Sequence, residues 1–330
     1  SQVFYPLTIL YFVLSQPLAW TTLVILQPML ASIGMFLYLT RLGRSTEASL
    51  LGAISYGFCS YSTVFLEYNT IGHVILWLPF ILLSIENIYF SKKITHSLSL
   101  IFCIVAAALA GHLQIFGTII LFELLYTFVI IRDKKTIAKV IFLTCVALGI
   151  SAVQLFPTLE LLTQSARGNH EYTDMVGRLL IQPQQLFTFV NSDLFGNPAT
   201  GNYLLADSYP GKALFFGSIV FFFSTVAVLS KKKSSQVIFF TGIMGSLLLL
   251  ITNNPLTKIL YHASIPFISQ SGPGNFIFII SFCGAVLAAF GIDLWIEKKI
   301  NMRTAVIIFT ILISVIWISY LTHALLVNKT

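Results

Sequence analysis

The 330-residue chain is 57% hydrophobic and only 9% charged, with a mean hydropathy of +0.89. A soluble domain carries roughly 25% charged residues, so a soluble fold of this size, a disulfide-stapled miniature and a disordered chain are all excluded. A polytopic membrane protein is left. The net charge of +7 suggests nucleic acid at first sight, but the placement of the charges removes that reading below.

In chain order, residues 3–17 are apolar but too short to span, and Pro6 and Pro17 flank them. They predict an interfacial or re-entrant segment. A spanning helix needs about 20 mostly apolar residues. Ten spans are expected on that basis: 20–39, 47–65, 71–90, 97–110, 112–131, 137–157, 213–230, 235–252, 275–296 and 304–327. The expected fold class is an all-α, polytopic transmembrane helical bundle forming a single transmembrane domain over 1–330. The fourth span is short, so it and the fifth form either a tight hairpin or a broken, partly re-entrant pair. Cys59, Cys103, Cys145 and Cys283 lie far apart in apolar runs, without metal-ligand spacing, and read as small buried hydrophobes.

Alternation of ten spans puts Arg41, Arg44, Lys92, Lys93, Arg132, Lys134, Lys135, Lys139, Lys231, Lys232, Lys233, Lys298, Lys299 and Arg303 on one side. These are fourteen of the 19 basic residues. Positive residues stay in the cytoplasm, so that side is inside, and the net charge needs no nucleic acid. The other side carries two longer loops, 158–212 and 253–274. Five of the six histidines (His73, His112, His170, His262 and His323) fall near or on it, as do Glu67, Glu160, Glu171, Asp174, Asp193 and Asp207. Recognition or chemistry is expected there.

The stretch "AALAGHLQIFGTIILFELL" at 107–125 interrupts an apolar run with Gly111, His112 and Gln114, and places Glu123 at membrane depth. Buried polar groups at that depth need partners or water. His112 and Gln114 are therefore expected to face a wet cavity or other helices. Gly72 and His73 reach a similar depth, and the two imidazoles would border one outward-facing site unless each only caps or anchors its helix. Glu123 is expected to face protein, with a proton path as the lesser option.

Pro157 in "QLFPTLELLTQSARG" (154–168) is expected to end a span. Glu160, Gln164 and Arg167 follow at helical spacing and would share one face of a surface helix. They either pair with one another or use the planar guanidinium of Arg167 to hold a phosphate. The rest of the 158–212 loop is rich in Gly, Pro, Asn and aromatic residues, as a lid or binding loop would be. The second loop suggests a helix lying flat on the membrane, followed by a Gly-Pro turn at 272–274.

Taken in order, "FYPLTILY" (4–11), Gly-His to Trp-Leu-Pro (72–79), "GHLQ" (111–114), "QLFPTLELLTQSARG", "FGNPATGNY" (195–203), "IPFISQSGPGNF" (265–276) and "AFGI" (289–292) resemble the YfhO family of bacterial membrane proteins. More broadly they resemble the C-type glycosyltransferase superfamily. The likeness spans nearly the whole chain. It implies a C-type-like fold with a large extracytoplasmic loop in the bacterial plasma membrane. The implied activity is transfer of a sugar from a polyprenyl-phosphate donor to an envelope polymer or lipid acceptor on the extracytoplasmic face. Such enzymes use an acidic residue of the first outer loop as base or metal contact. That loop would lie before Ser1, with "FYPL" as its tail. The cofactor is left unknown, a divalent metal being compatible, and no metal ligands are assigned. Relatives tend to carry arginines around the proline of "SGPGN"; here Ser271, Gly272 and Gly274 stand instead, which puts the donor-phosphate contact there in doubt.

A glycosyl phosphate leaving group needs cations, and an acceptor hydroxyl needs a base. Arg167 and Lys212 are the candidate cations. His73, His112, Gln114 and Glu160 are the further substrate-binding candidates, and Glu67, Asp193 and Asp207 the lesser base candidates. Two other classes remain open: a transporter or lipid flippase, for which Glu123 speaks, and a non-catalytic envelope assembly factor, for which the missing "SGPGN" arginines speak.

Overall fold

The computed structural model describes residues 2–164, 179–205, 207–231, 233–263 and 272–299, with Val176 and isolated positions between Arg303 and Leu321. The expected span 304–327 thus lies largely outside the described residues, and so do Arg167, His170, Glu171, Asp174 and His323. Helices follow one another as the apolar runs dictate. They are α1 (Gln16–Arg41), α2 (Thr46–Gly57), α3 (Ser60–Val64), α4 (Ile71–Ile75), α5 (Leu78–Phe90), α6 (Ile94–Leu109), α7 (Leu113–Tyr126), α8 (Lys134–Ile150), α9 (Ala152–Thr163), α10 (Ser218–Leu229), α11 (Ser235–Ile251), α12 (Pro255–His262) and α13 (Ile277–Ile296). A short helical stretch, Pro6–Ile9 with Leu10–Val13, precedes α1. No β-strand occurs among the described residues; an isolated parallel bridge joins Ile181 to Thr252.

Four described helical segments are long and apolar enough to cross a membrane: Gln16–Arg41, Ile71–Phe90, Leu113–Ile131 and Pro273–Ile296. A bent pair, Lys134–Ile150 with Ala152–Leu161, makes a fifth if counted as one span. Ile94–Leu109, Ser218–Leu229 and Ser235–Ile251 are apolar but shorter. At 1.5 Å per residue the 16 residues of α6 reach about 24 Å, less than the ~30 Å hydrocarbon core.

The centre of the bundle is α13. Every residue from Ile277 to Asp293 is buried, as expected for a helix apolar on all faces. It packs against α10, α2 and α11. A Cβ on Gly291 would lie 2.0 Å from the Phe223 carbonyl oxygen, so α10 approaches α13 at backbone distance, as small residues allow between membrane helices. Phe282 projects into an aromatic core formed with Tyr38, Tyr56, Phe122 and Phe240, at centroid distances of 5.3–6.2 Å.

Two expected spans are interrupted, and the interruptions complete one another. The helix expected over 47–65 breaks at Phe58 and Cys59, between α2 and α3. The span expected from 213 becomes helical only at Ser218, after Gly217 at φ 111°. Between them the Ser60 amide donates to the Phe215 carbonyl (2.8 Å) and the Ser55 hydroxyl to the Phe216 carbonyl (2.6 Å). Non-helical backbone among apolar helices persists only where protein satisfies it; these two bonds do so.

Pro157 does not end a span. It sits inside α9, and the chain turns six residues earlier, at Ser151, where α8 and α9 meet at 70°. The Ser151 hydroxyl bonds back to the Ala147 carbonyl (2.9 Å), a contact that favours helix bending. The Thr158 hydroxyl takes the Gln154 carbonyl (2.7 Å).

The ends of the bundle differ. Connections after α1, α5, α7, α10 and α13, with the first turns of α8, carry most of the described basic residues. At this basic end Arg44 pairs with Asp293 (3.0 Å), which also accepts from the Ser45 amide (3.2 Å). Nearby, Tyr126 donates to Glu86 (2.5 Å), a carboxylate on α5 only 4% exposed. Glu86 received no role in the sequence reading. An acid inside an apolar window was the signal available.

Candidate functional site

At the opposite end the Gly-His-Leu-Gln turn is a hub. Gly111 adopts φ 91°, a conformation that glycine reaches without strain. That turn ends α6 and starts α7, and helix ends leave carbonyls and amides to be satisfied. The Gln154 side chain donates to the Ala108 and Leu109 carbonyls (3.2 and 3.3 Å), and Gln2 donates to the Ala110 carbonyl (3.0 Å). His112 caps α7, its Nδ1 accepting from the Ile115 amide at 3.4 Å. A neutral His112 therefore carries its proton on Nε2. Gln114 Oε1 accepts from Asn275 Nδ2 (3.0 Å).

His73 sits in a second network that adjoins the hub through Gln2. The imidazole is 0% exposed. Its Nε2 lies 3.0 Å from Asn69 Oδ1 and its Nδ1 3.2 Å from the Tyr5 hydroxyl. Gln27 Nε2 also donates to Asn69 Oδ1 (2.7 Å), and Gln2 donates to the Asn69 carbonyl (3.1 Å). Because that Oδ1 only accepts, the pattern is met by a His73 that donates from Nε2 and accepts from Tyr5. Gly72 is required by packing: a Cβ there would lie 1.9 Å from Gln27 Oε1. Gln2, bonded to both the Asn69 and the Ala110 carbonyls, ties the two Gly-His segments together. His73 is enclosed, while His112 and Gln114 are half-buried.

Asn275 connects the hub to the large loop. Gly274 lies so close to Gly211 that a Cβ would meet its carbonyl oxygen at 2.6 Å. The absence of a side chain in "PGN" therefore seats this turn on Pro210–Lys212. Lys212, 6% exposed, pairs with Asp207. The carboxylate accepts also from Tyr203 and from Gln185 Nε2 (2.7 Å). Burial opposes the charge on Asp207, but the hydrogen bonds from Lys212, Tyr203 and Gln185 outweigh it and hold the carboxyl below the usual carboxylate range. Burial also pulls the Lys212 ammonium down, in spite of its partner. A shallow open cleft with interior room for about one water molecule, about 20 Å³, adjoins this group; its walls include Ser60, Gln185, Ser192, Tyr203, Tyr209 and Lys212.

The other candidates lie apart. Glu67 is exposed in the Leu66–Tyr68 turn. Asp193 is exposed and accepts from Asn197 Nδ2 at 3.3 Å. Glu160 is exposed on α9, and Arg167 lies outside the described residues. Glu123 is fully buried, with Oε1 accepting from the Thr144 hydroxyl (2.7 Å) and Oε2 unpartnered. Among the described residues no three His, Cys, Asp or Glu side chains converge to hold a metal ion. Lys212 and Gln114 are thereby linked through Asn275, Gly274 and Gly211. The residues that sequence reasoning missed include Gln2, Asn69, Gln154, Gln185, Tyr203 and Asn275; the amide-rich, aromatic loop marked the neighbourhood of Gln185 and Tyr203 without singling them out.

The family model described as "Bacterial membrane protein YfhO" matches residues 2–329. No curated protein and no solved structure matches the chain.

Proposed function

Since the chain belongs to the YfhO family of bacterial membrane proteins, we propose that it is an integral-membrane glycosyltransferase. It moves a sugar from a polyprenyl-phosphate donor to an envelope polymer or lipid on the extracytoplasmic face. The observation that carries this reading is the convergence of Gln2, Gln114, Gln154 and Asn275 at the end away from the basic connections, joined through Gly274 and Gly211 to the Lys212–Asp207 pair. An apolar bundle has no packing need for so many amides at one end. The positive-inside rule assigns that end to the outer face.

In the reaction an acceptor hydroxyl attacks C1 of the donor sugar, the C1–O bond to phosphate breaks, and a base takes the hydroxyl proton. The leaving phosphate gathers negative charge that cations stabilise. Arg167 is the cation proposed for that role, because Lys212 is already committed to Asp207. Asp207, held by three donors, is a poor base. That saturation favours one second reading, a non-catalytic assembly factor of the same fold.

The test is a vesicle assay of the full-length protein with radiolabelled polyprenyl-phosphate sugars, beside mass spectrometry of envelope glycans from a deletion strain. Transfer in vesicles, together with loss of one glycan substituent in the strain, supports the transferase. Arg167→Ala and His112→Ala at normal protein level should reduce both. An unaltered glycan profile in the deletion strain, with no transfer in vesicles, leaves the assembly factor.

A further inference from the structure

Arg41, Arg44 and Arg132 sit at the basic end and differ in what they donate to. Arg44 donates to Asp293 and to the Leu42 carbonyl (3.0 and 3.3 Å), and Arg132 to the Val129 carbonyl (2.6 Å). Arg41, the last residue of α1, makes no hydrogen bond and no ion pair among the described residues, and its Nε is buried without an acceptor. Its position is fixed all the same. The guanidinium carbon lies 4.4 Å from the centroid of the Phe90 ring, a cation–π arrangement. Glu86 is close enough to feel the Arg41 charge, but it accepts from Tyr126 and lies beyond ion-pair distance of the guanidinium.

A stacked, planar group with five N–H donors and no acceptor suits an oxyanion, because paired N–H bonds match two oxygens of a phosphate. The surroundings identify the kind of phosphate. Phe90 is 65% and Tyr89 45% exposed. They are bare rings at the end of a membrane bundle, at the depth where aromatic side chains meet headgroups. An inorganic anion has no use for such rings, whereas a lipid covers them with its glycerol and upper chain. Lys92 and Lys93, both exposed, follow directly. Three cations thus stand against the one carboxylate of Glu86, and anionic headgroups collect at such basic clusters.

We propose that Arg41, held on Phe90 and flanked by Lys92 and Lys93, seats the phosphate of an anionic phospholipid in the leaflet at the basic end. Arg41 forms the paired hydrogen bonds, the lysines add charge, and the Tyr89 and Phe90 rings lie against the lipid. The seat is independent of the transferase reading, which concerns the opposite end of the bundle.

The full-length protein is reconstituted in nanodiscs of phosphatidylcholine containing phosphatidylglycerol, and the lipids it retains on release into detergent are counted by native mass spectrometry. The wild type should retain phosphatidylglycerol in preference to phosphatidylcholine. Arg41→Gln should lower that retention about tenfold, as the loss of hydrogen bonds to a charged group implies. Arg41→Lys should lower it by a similar factor, since it keeps the charge and loses the fork. Phe90→Leu should lower it less. Arg132→Gln, a charge removed at the same end, should leave it unchanged. Melting temperatures separate loss of the seat from loss of the fold. Wild type and Arg41→Lys should melt alike in phosphatidylcholine alone, and added phosphatidylglycerol should raise the wild-type value only. Equal retention by wild type and Arg41→Lys overturns the seat. An equal fall in Arg132→Gln shows diffuse attraction and overturns it too. Displacement of the lipid by inorganic phosphate at like concentration shows a site for the free anion, and the lipid assignment then fails.

Discussion

At Gly72 a single hydrogen decides the packing. Alanine there would set its methyl 1.9 Å from Gln27 Oε1 and push that amide off Asn69. Gly72→Ala is expected to cost about 1–3 kcal/mol, read as a lower unfolding temperature in detergent. Tyr5→Phe removes the hydroxyl on His73 Nδ1 and should cost about 1 kcal/mol by the same measurement. Asp207 responds to pH. Its folded carboxyl titrates below the unfolded value of about 3.9, so its stabilisation is complete above that value and is lost as pH falls through the folded one. Amide exchange over 203–212 should stay protected from pH 8 to 5 and open at lower pH, whereas Asp207→Asn should show the open pattern at pH 7. The pairing itself was not legible in advance. Asp207 and Lys212 are five residues apart around Tyr209–Pro210, a spacing without meaning until the turn and Gln185 bring them together.

Among the elements, α13 depends most on absent side chains. Gly291→Leu would drive a side chain into the Phe223 carbonyl, 2.0 Å from an ideal Cβ, and separate α10 from α13. Loss of the folded fraction in size-exclusion profiles is the expected outcome, with Gly149→Leu, where a Cβ meets nothing within 4 Å, as the tolerated control. The apolar runs revealed where helices lie, because hydropathy is a local property of sequence. They did not reveal where helices break. The 47–65 run looks continuous, and its interruption at Phe58 and Cys59 is stabilised by Phe215 and Phe216, far along the chain. In the same way Pro157 looked like a stop, but Ser151, bonded back to Ala147, makes the turn.

For the whole molecule, sidedness is the property to measure. Asp193→Cys should react with an impermeant thiol reagent on intact cells, and Lys134→Cys only after permeabilisation, both in a background lacking the four native cysteines. The reverse pattern would turn the cleft toward the cytosol. Charge asymmetry was readable directly from the basic connections, since it is a matter of composition. The hub at 110–114 was readable only as an anomaly, because its partners Gln2, Gln154 and Asn275 come from three distant stretches. A different consequence follows from the mutual bonding of the two interrupted segments. The Ser60 amide emerges from the ribosome long before the Phe215 carbonyl that will receive it. Until the later stretch arrives, the earlier one carries a donor that only water or another group can meet. The break at Phe58 and Cys59 is therefore completed only once residues 215 and 216 have been made, so a chain truncated before them is expected to leave this join open.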